Sequence, residues 1–234
     1  MYYWYKLITY LFLPLANAYL ILRKFKKKEH PKRYKEKLSH IKINRPEGSL
    51  IWFHMASVGE TISIIPLIEK FEKDEKIQSI LLTTLTISSS DVIKKKFNNS
   101  KKIIHQFAPL DIPNLVTKFL KHWSPNLCIF IDSEIWPNLI TEIKEKDIPL
   151  VLVNARITKK TFLRWRLTKN FAKKIFGKFD LCTAANAETQ EHLKILGAKN
   201  IKNYGNLKFA KPDFNPEKDI NNLLLEKTKK NILW

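Results

Sequence analysis

Glycine is scarce in this chain, with five in 234 residues, and the scarcity is informative. Neither G-x-G-x-x-G nor G-x-x-x-x-G-K-[ST] occurs, so no glycine-rich phosphate loop is encoded. The nucleophile elbow G-x-S-x-G is missing too. Ser57 is followed by Gly59, but Met55 occupies the first glycine position. The only two cysteines, Cys128 and Cys182, each lie in an apolar run, which leaves no disulfide framework and no metal-ligand spacing. They read as buried, reduced thiols, and neither a metal nor a cofactor is expected. Acidic residues are also few: 22 Asp and Glu face 42 Lys and Arg, for a net charge of +20. Such a balance calls for an anionic partner, whether nucleic acid, a phosphorylated ligand or an acidic membrane surface, and composition does not choose among them.

What is present is unevenly placed. Residues 23 to 37, "RKFKKKEHPKRYKEK", hold nine basic and two acidic residues, and residues 156 to 178, "RITKKTFLRWRLTKNFAKKIFGK", hold nine basic and none acidic. Before the first block comes "MYYWYKLITYLFLPLANAYLIL", whose only charged side chain is Lys6. Counted from Tyr2, it predicts a hydrophobic anchor helix over residues 1–22, with Tyr2 to Tyr5 as an aromatic belt and the basic block on the cytoplasmic side. A helix lying in the interface is the alternative that Pro14 permits, and "ANA" at 16–18 resembles a signal-peptidase site that the following basic block opposes. Residues 23–48 then form a basic juxtamembrane segment suited to anionic headgroups.

From residue 49 short apolar runs alternate with helical periodicity. Strands are predicted at 49–54, 79–84, 102–107, 126–131, 149–154, 180–184 and 201–205. Helices are predicted at 60–73, 88–97, 112–122, 135–146, 161–176 and 187–196. Repeated strand–helix alternation predicts an α/β, Rossmann-like domain over 49–210, a parallel sheet with helices on both faces. Residues 211–234 read as a linker and the start of a second domain, because "NILW" looks like the opening of a strand.

Ligands of such sheets collect at the carboxyl ends of the strands. "HMASVGE", "DSEIWPN", "NARIT" and "GNLKF" fall there. Ser57 and Glu60 fit the S-x-x-E capping box, in which Ser57 accepts from the Glu60 amide and the Glu60 carboxylate returns to the Ser57 amide. Equally, Glu60 is a carboxylate beside a small turn, placed as a general base. Glu134 is a second candidate carboxylate, with helix-start charge as its structural alternative. His54 reads more readily as a structural histidine than as a ligand.

With "IWFHMASVGE", "SEIWPNLI", "LVNARIT" and "GNLKF" in this order, the chain resembles the 3-deoxy-D-manno-octulosonic acid (Kdo) transferases, from the N-terminal anchor to about residue 210. The resemblance implies the N-terminal, acceptor-binding half of a two-domain, GT-B type glycosyltransferase. It implies transfer of Kdo from CMP-Kdo to a lipid A precursor, with inversion, at the cytoplasmic face of the inner membrane. Carried over by motif, the proton acceptor is Glu60 and the auxiliary catalytic residues are Glu134 and Lys208. Ser57, Gly59, Asn154, Arg156, Arg164 and Arg166 are the expected substrate contacts, and Phe162, Trp165, Phe171 and Phe176 would meet the lipid beside them. No nucleic acid is expected as a partner. The competing classes are a membrane-tethered basic module binding nucleic acid or lipid, and an inactive remnant.

Overall fold

The structure, a computed structural model, describes residues 1–207. Seven parallel strands form one sheet: β1 (Leu50–His54), β2 (Ser79–Thr84), β3 (Ile103–Phe107), β4 (Leu127–Ile131), β5 (Leu150–Ala155), β6 (Leu181–Ala184) and β7 (Ile201–Asn203). Their order is β3-β2-β1-β4-β5-β6-β7. The strand order therefore reverses between β1 and β4, which lie side by side with Trp52 opposite Cys128 and His54 opposite Phe130. A reversal of this kind opens a crevice at the carboxyl ends of the two strands, because their outgoing connections leave toward opposite faces.

Alternation along β1 divides the core. Leu50 and Trp52 join Phe130, Leu150 and Leu152 in the larger cluster, packed by α5 (Pro113–Trp123), α6 (Pro137–Glu145), α8 (Lys169–Phe176) and α9 (Ala187–Leu196). Ile51 and Phe53 join Ile80, Leu82 and Ile131 on the other face, beneath α3 (Val58–Lys73) and α4 (Ile87–Lys96). Helices thus cover both faces, as expected for a parallel sheet. Several helices begin with a side-chain cap: Ser57, Thr86, Thr158 and Asn186 accept from the amides of Glu60, Ser89, Thr161 and Thr189. α6 begins with Pro137 and has no cap of its own. Its amides at Asn138 and Leu139 donate instead to Asp111, at 3.1 and 2.8 Å.

Two departures from the expected elements have local causes. The single helix read at 1–22 is two, α1 (Tyr2–Leu11) and α2 (Leu13–Phe25), bent by 61°. Pro14 lacks an amide proton and its ring opposes the carbonyl four residues back, so the helix restarts there. Among the described residues no single helix is long and apolar enough to cross a membrane, although this bent pair passes by length and composition. The helix read at 161–176 is likewise split, into α7 (Lys159–Arg166) and α8. Thr168 leaves helical geometry at φ −121°, ψ 47° and donates its hydroxyl to the Trp165 carbonyl.

The basic segment after α2 folds onto the domain. Lys37, almost fully buried, meets Glu29 at 2.6 Å and the Leu85 carbonyl at 2.9 Å. Arg23 also reaches Glu29, and Arg33 binds Glu36 and the His105 carbonyl. Three of the nine bases are therefore spent on internal pairs. Lys26, Lys27, Lys28, Lys32 and Lys35 remain exposed.

Candidate active site

β1 ends at His54, and the chain turns through Met55 and Ala56 to Ser57, the N-cap of α3. Glu60 occupies the first turn of that helix and is 8% exposed. Its two carboxylate oxygens are separately held: Ala56 N–H donates to Oε2 and Ser57 Oγ–H donates to Oε1, both at 2.7 Å. The expected capping box is thus present in altered form. Ser57 does accept from the Glu60 amide, at a long 3.4 Å, but the carboxylate returns to the amide of Ala56 and the hydroxyl of Ser57, not to the amide of Ser57. An ionised carboxylate offers about four acceptor positions. Two are filled here, which fixes the orientation of the group and leaves lone pairs for an incoming hydroxyl.

Glu134 lies in the loop between β4 and α6 and is also 8% exposed. Trp136 donates its indole N–H to Oε2 at 2.7 Å, and His54 Nε2 stands 3.5 Å from the same oxygen. Burial alone pushes the Glu134 carboxyl up. The imidazole of His54 and the Trp136 N–H outweigh burial, so the group sits below the usual carboxylate value. The 3.5 Å separation is at the outer limit of a hydrogen bond, and His54 Nε2 has no other partner among the described residues. His54 acts on Glu134 first through this long contact and second through electrostatic attraction.

At the neighbouring strand ends, Asp132 (φ 61°) and Asn154 (φ 55°) both adopt left-handed backbone, which Asp and Asn tolerate better than other residues with a side chain. Asn154 accepts from the Leu207 amide at 3.0 Å, tying the end of the described chain to β5, while its buried Nδ2 has no partner among the described residues. Arg156 extends over the rim, half exposed, 4.0 Å from Asp132. Ser57 and Gly59 are exposed at the start of α3.

Arg164 and Arg166 are exposed on α7, flanked in sequence by the exposed Leu163 and Leu167. The aromatic residues of this stretch do not face out as expected. Phe162 and Phe176 are core residues, and Trp165 and Phe171 pack against the core. Their spacing gives each short helix one apolar face, and the sheet takes it. Lys208 lies outside the described residues, as do residues 211–234.

The pairing of His54 with Glu134 and the left-handed turn at Asp132 were not legible as site features. His54 and Glu134 are 80 positions apart and meet only because β1 and β4 are neighbours. The one local signal for Asp132 was an aspartate directly after a strand.

α1 is joined to this region from below. Tyr5 donates to Asp111 at 2.8 Å, and Asn138 donates to Thr9 at 2.9 Å and to the Asp111 carbonyl at 2.7 Å. Between the two N-terminal helices and Trp136 lies an open, largely apolar hollow of about 440 Å³, walled by residues such as Leu11, Leu15, Leu110 and Ile112. Along the two N-terminal helices Tyr3, Trp4, Leu11, Leu15, Leu22 and Phe25 are more than half exposed.

The comparisons with known proteins agree with one another. The family model for 3-deoxy-D-manno-octulosonic-acid transferase (kdotransferase) matches residues 32–211. A probable mitochondrial 3-deoxy-D-manno-octulosonic acid transferase of Arabidopsis thaliana is 37% identical over 210 residues, covering 88% of this chain and 46% of that protein. The 3-deoxy-D-manno-octulosonic acid transferase of Rickettsia bellii is 34% identical over 206 residues, covering 88% and 49%. The chain spans about half the length of these curated relatives. Among solved structures, UDP-GlcNAc 2-epimerase from Neisseria meningitidis bound to UDP-GlcNAc superposes with a TM-score of 0.50 at 12% identity, over 77% of this chain and 52% of that one. At that identity the likeness concerns the fold alone, and it agrees with the Rossmann-like class expected from the sequence.

Proposed function

The chain belongs to the 3-deoxy-D-manno-octulosonic acid transferase family, and from that premise we propose that it is the acceptor-binding part of an inverting glycosyltransferase of lipopolysaccharide biosynthesis. The donor is CMP-Kdo and the acceptor a lipid A precursor. Most donor contacts belong to the portion of such enzymes beyond the region matched here. The observation that carries the reading is the carboxylate of Glu60, clamped by Ala56 and Ser57 just after β1 at the strand-order reversal, with Glu134 in the loop after the neighbouring strand β4.

In this reading a sugar hydroxyl of the acceptor approaches Glu60. Its oxygen attacks the anomeric carbon of Kdo while the hydroxyl proton passes to the Glu60 carboxylate. The bond between that carbon and the phosphate oxygen of CMP breaks, its electron pair leaves with CMP, and the configuration inverts. Ser57 and the Ala56 amide hold the base in register. Glu134, kept ionised, stabilises the positive charge that develops at the sugar ring, and Lys208 balances the departing phosphate. Ser57, Gly59, Asn154 and Arg156 border the acceptor, while Arg164 and Arg166 meet its phosphates.

The exposed apolar elbow of α1 and α2, with Lys26, Lys27 and Lys28 at its end, lies on the cytoplasmic face of the inner membrane. The hollow beside Trp136 gives acyl-bearing substrate a path from that surface to the crevice.

Purified chain is incubated with CMP-Kdo and tetra-acylated lipid A precursor, with and without a separately expressed carboxyl-terminal half of a family member. Kdo-bearing lipid formed with both halves supports the reading. Absence of acceptor binding and of product in both arms refutes it.

A further inference from the structure

We propose that His54 is a positioning residue for Glu134, presenting its Nε2 proton to the carboxylate while Thr83 grips the far side of the ring. The part of this inference that concerns catalysis rests on the reading above; the part that concerns hydrogen bonding does not.

The argument starts at Thr83. Trp52 Nε1–H can only donate, and it reaches Thr83 Oγ1 at 2.8 Å. The threonine oxygen therefore accepts there, and its single proton has two possible destinations: His54 Nδ1 at 2.9 Å and the Phe53 carbonyl at 3.4 Å. The shorter contact is the better one. Nδ1 is then the acceptor nitrogen, and the proton of the neutral ring sits on Nε2, facing Glu134 at 3.5 Å. The opposite tautomer would set a bare nitrogen lone pair against a carboxylate oxygen in a site where His54 is 1% exposed, an uncompensated buried repulsion.

The ring has little freedom to choose otherwise. Phe130 packs edge-on at 5.0 Å between centroids, with Trp52 at 6.0 Å and Trp136 at 6.3 Å. Trp136 supplies the second donor to the same Glu134 oxygen. Two N–H groups, from β1 and from the α6 N-cap, thus converge on Oε2 and leave Oε1 for substrate. The other charged group near the imidazole is Asp111, in the loop after β3, whose carboxyl responds electrostatically to His54. Glu134, 3.5 Å from Nε2, favours a proton on that edge.

A histidine that merely filled the core would not need this tautomer, nor influence Glu134. Two measurements separate the cases. Long-range ¹H–¹⁵N correlation of the ¹⁵N-histidine-labelled chain in mildly alkaline buffer should show His54 with a protonated Nε2 and a bare Nδ1; the reverse assignment overturns the proposal. Titration of ¹³C-labelled glutamate, with Glu134→Gln to assign the signal, should show the Glu134 midpoint rise in His54→Phe and return toward the wild-type value in His54→Gln, whose amide restores a donor. An unchanged midpoint in folded His54→Phe overturns it equally. Should that variant not fold, the wild-type tautomer decides. In the two-half assay, His54→Phe should lower kcat by about 100-fold with acceptor KM little changed, and His54→Gln should recover part of it. Equal losses in both variants contradict positioning by a donor. Persistent turnover in Glu60→Gln would refute the catalytic reading while leaving the tautomer result standing.

Discussion

The hydroxyl of Ser57 donates to the carboxylate of Glu60 at 2.7 Å, and the same oxygen accepts from the Glu60 amide. One serine therefore both caps α3 and aims the acid that the helix carries. Ser57→Ala should lower stability by about 0.5–2 kcal/mol through the lost cap, readable in urea unfolding. It should also lower turnover in the two-half assay by more than this stability loss explains, because Glu60 keeps only its Ala56 tether.

Asp111 accepts from Asn138 N–H, Leu139 N–H and Tyr5 O–H. It joins three elements: the loop after β3, the start of α6 and the N-terminal helix. Asp111→Ala strips two amides of their partner in a buried site and should cost about 1–3 kcal/mol for each group left unpaired. Tyr5→Phe removes only the hydrogen bond from α1 to Asp111 and leaves that between Asn138 and Thr9. It should leave global unfolding nearly unchanged while speeding limited proteolysis within residues 1–25.

Lys37 and Glu29 form a buried pair at 2.6 Å, and burial draws the Lys37 pKa down against the pull of Glu29. Lys37→Ala leaves Glu29 with Arg23 as its remaining partner. A loss of about 3 kcal/mol is expected, the low end for breaking a buried pair. The double change Lys37→Met with Glu29→Leu should recover much of it, as measured by denaturant midpoints.

The acid limb of stability contains two opposing groups. The Glu134 carboxyl is depressed, with His54 and Trp136 prevailing over burial. Its stabilisation is present above the ordinary carboxylate pKa and is lost as pH falls through the lower, folded value. The Asp111 carboxyl is raised, chiefly by burial. Its contribution is present below the ordinary value and is lost as pH rises through the higher, folded one. Glu134→Gln should therefore make stability fall less steeply on acidification, and Asp111→Asn should make it fall more steeply. Urea midpoints across the acid range test both signs.

Much of the scaffold could be read directly. β2 and α9 fall where the apolar patterns placed them, because dense β-branched runs and clear caps such as Asn186 and Gly197 act locally. What escaped was set by distant partners or by subtle breaks. Apolar periodicity continues across Thr168 and across Pro14, so pattern alone joined helices that backbone geometry divides. Asp111 gave no hint of its role because the helix it caps begins 26 residues later. The aromatic residues of 156–178 looked like a lipid-facing surface because composition does not report which face of a short helix the sheet covers. Motif singles out Glu60 and Glu134 as candidates, but the contacts that restrain them depend on Ala56, Ser57, His54 and Trp136 in their folded positions.

The central claim is that Glu60 takes the proton of the acceptor hydroxyl. Its most direct test is Kdo transfer to lipid A precursor by the chain paired with a carboxyl-terminal half, comparing wild type with Glu60→Gln, an exchange that keeps shape and removes basicity. The account predicts a fall in kcat of at least about 100-fold, with the variant folded and still binding acceptor. Turnover equal to wild type in that folded variant would contradict it.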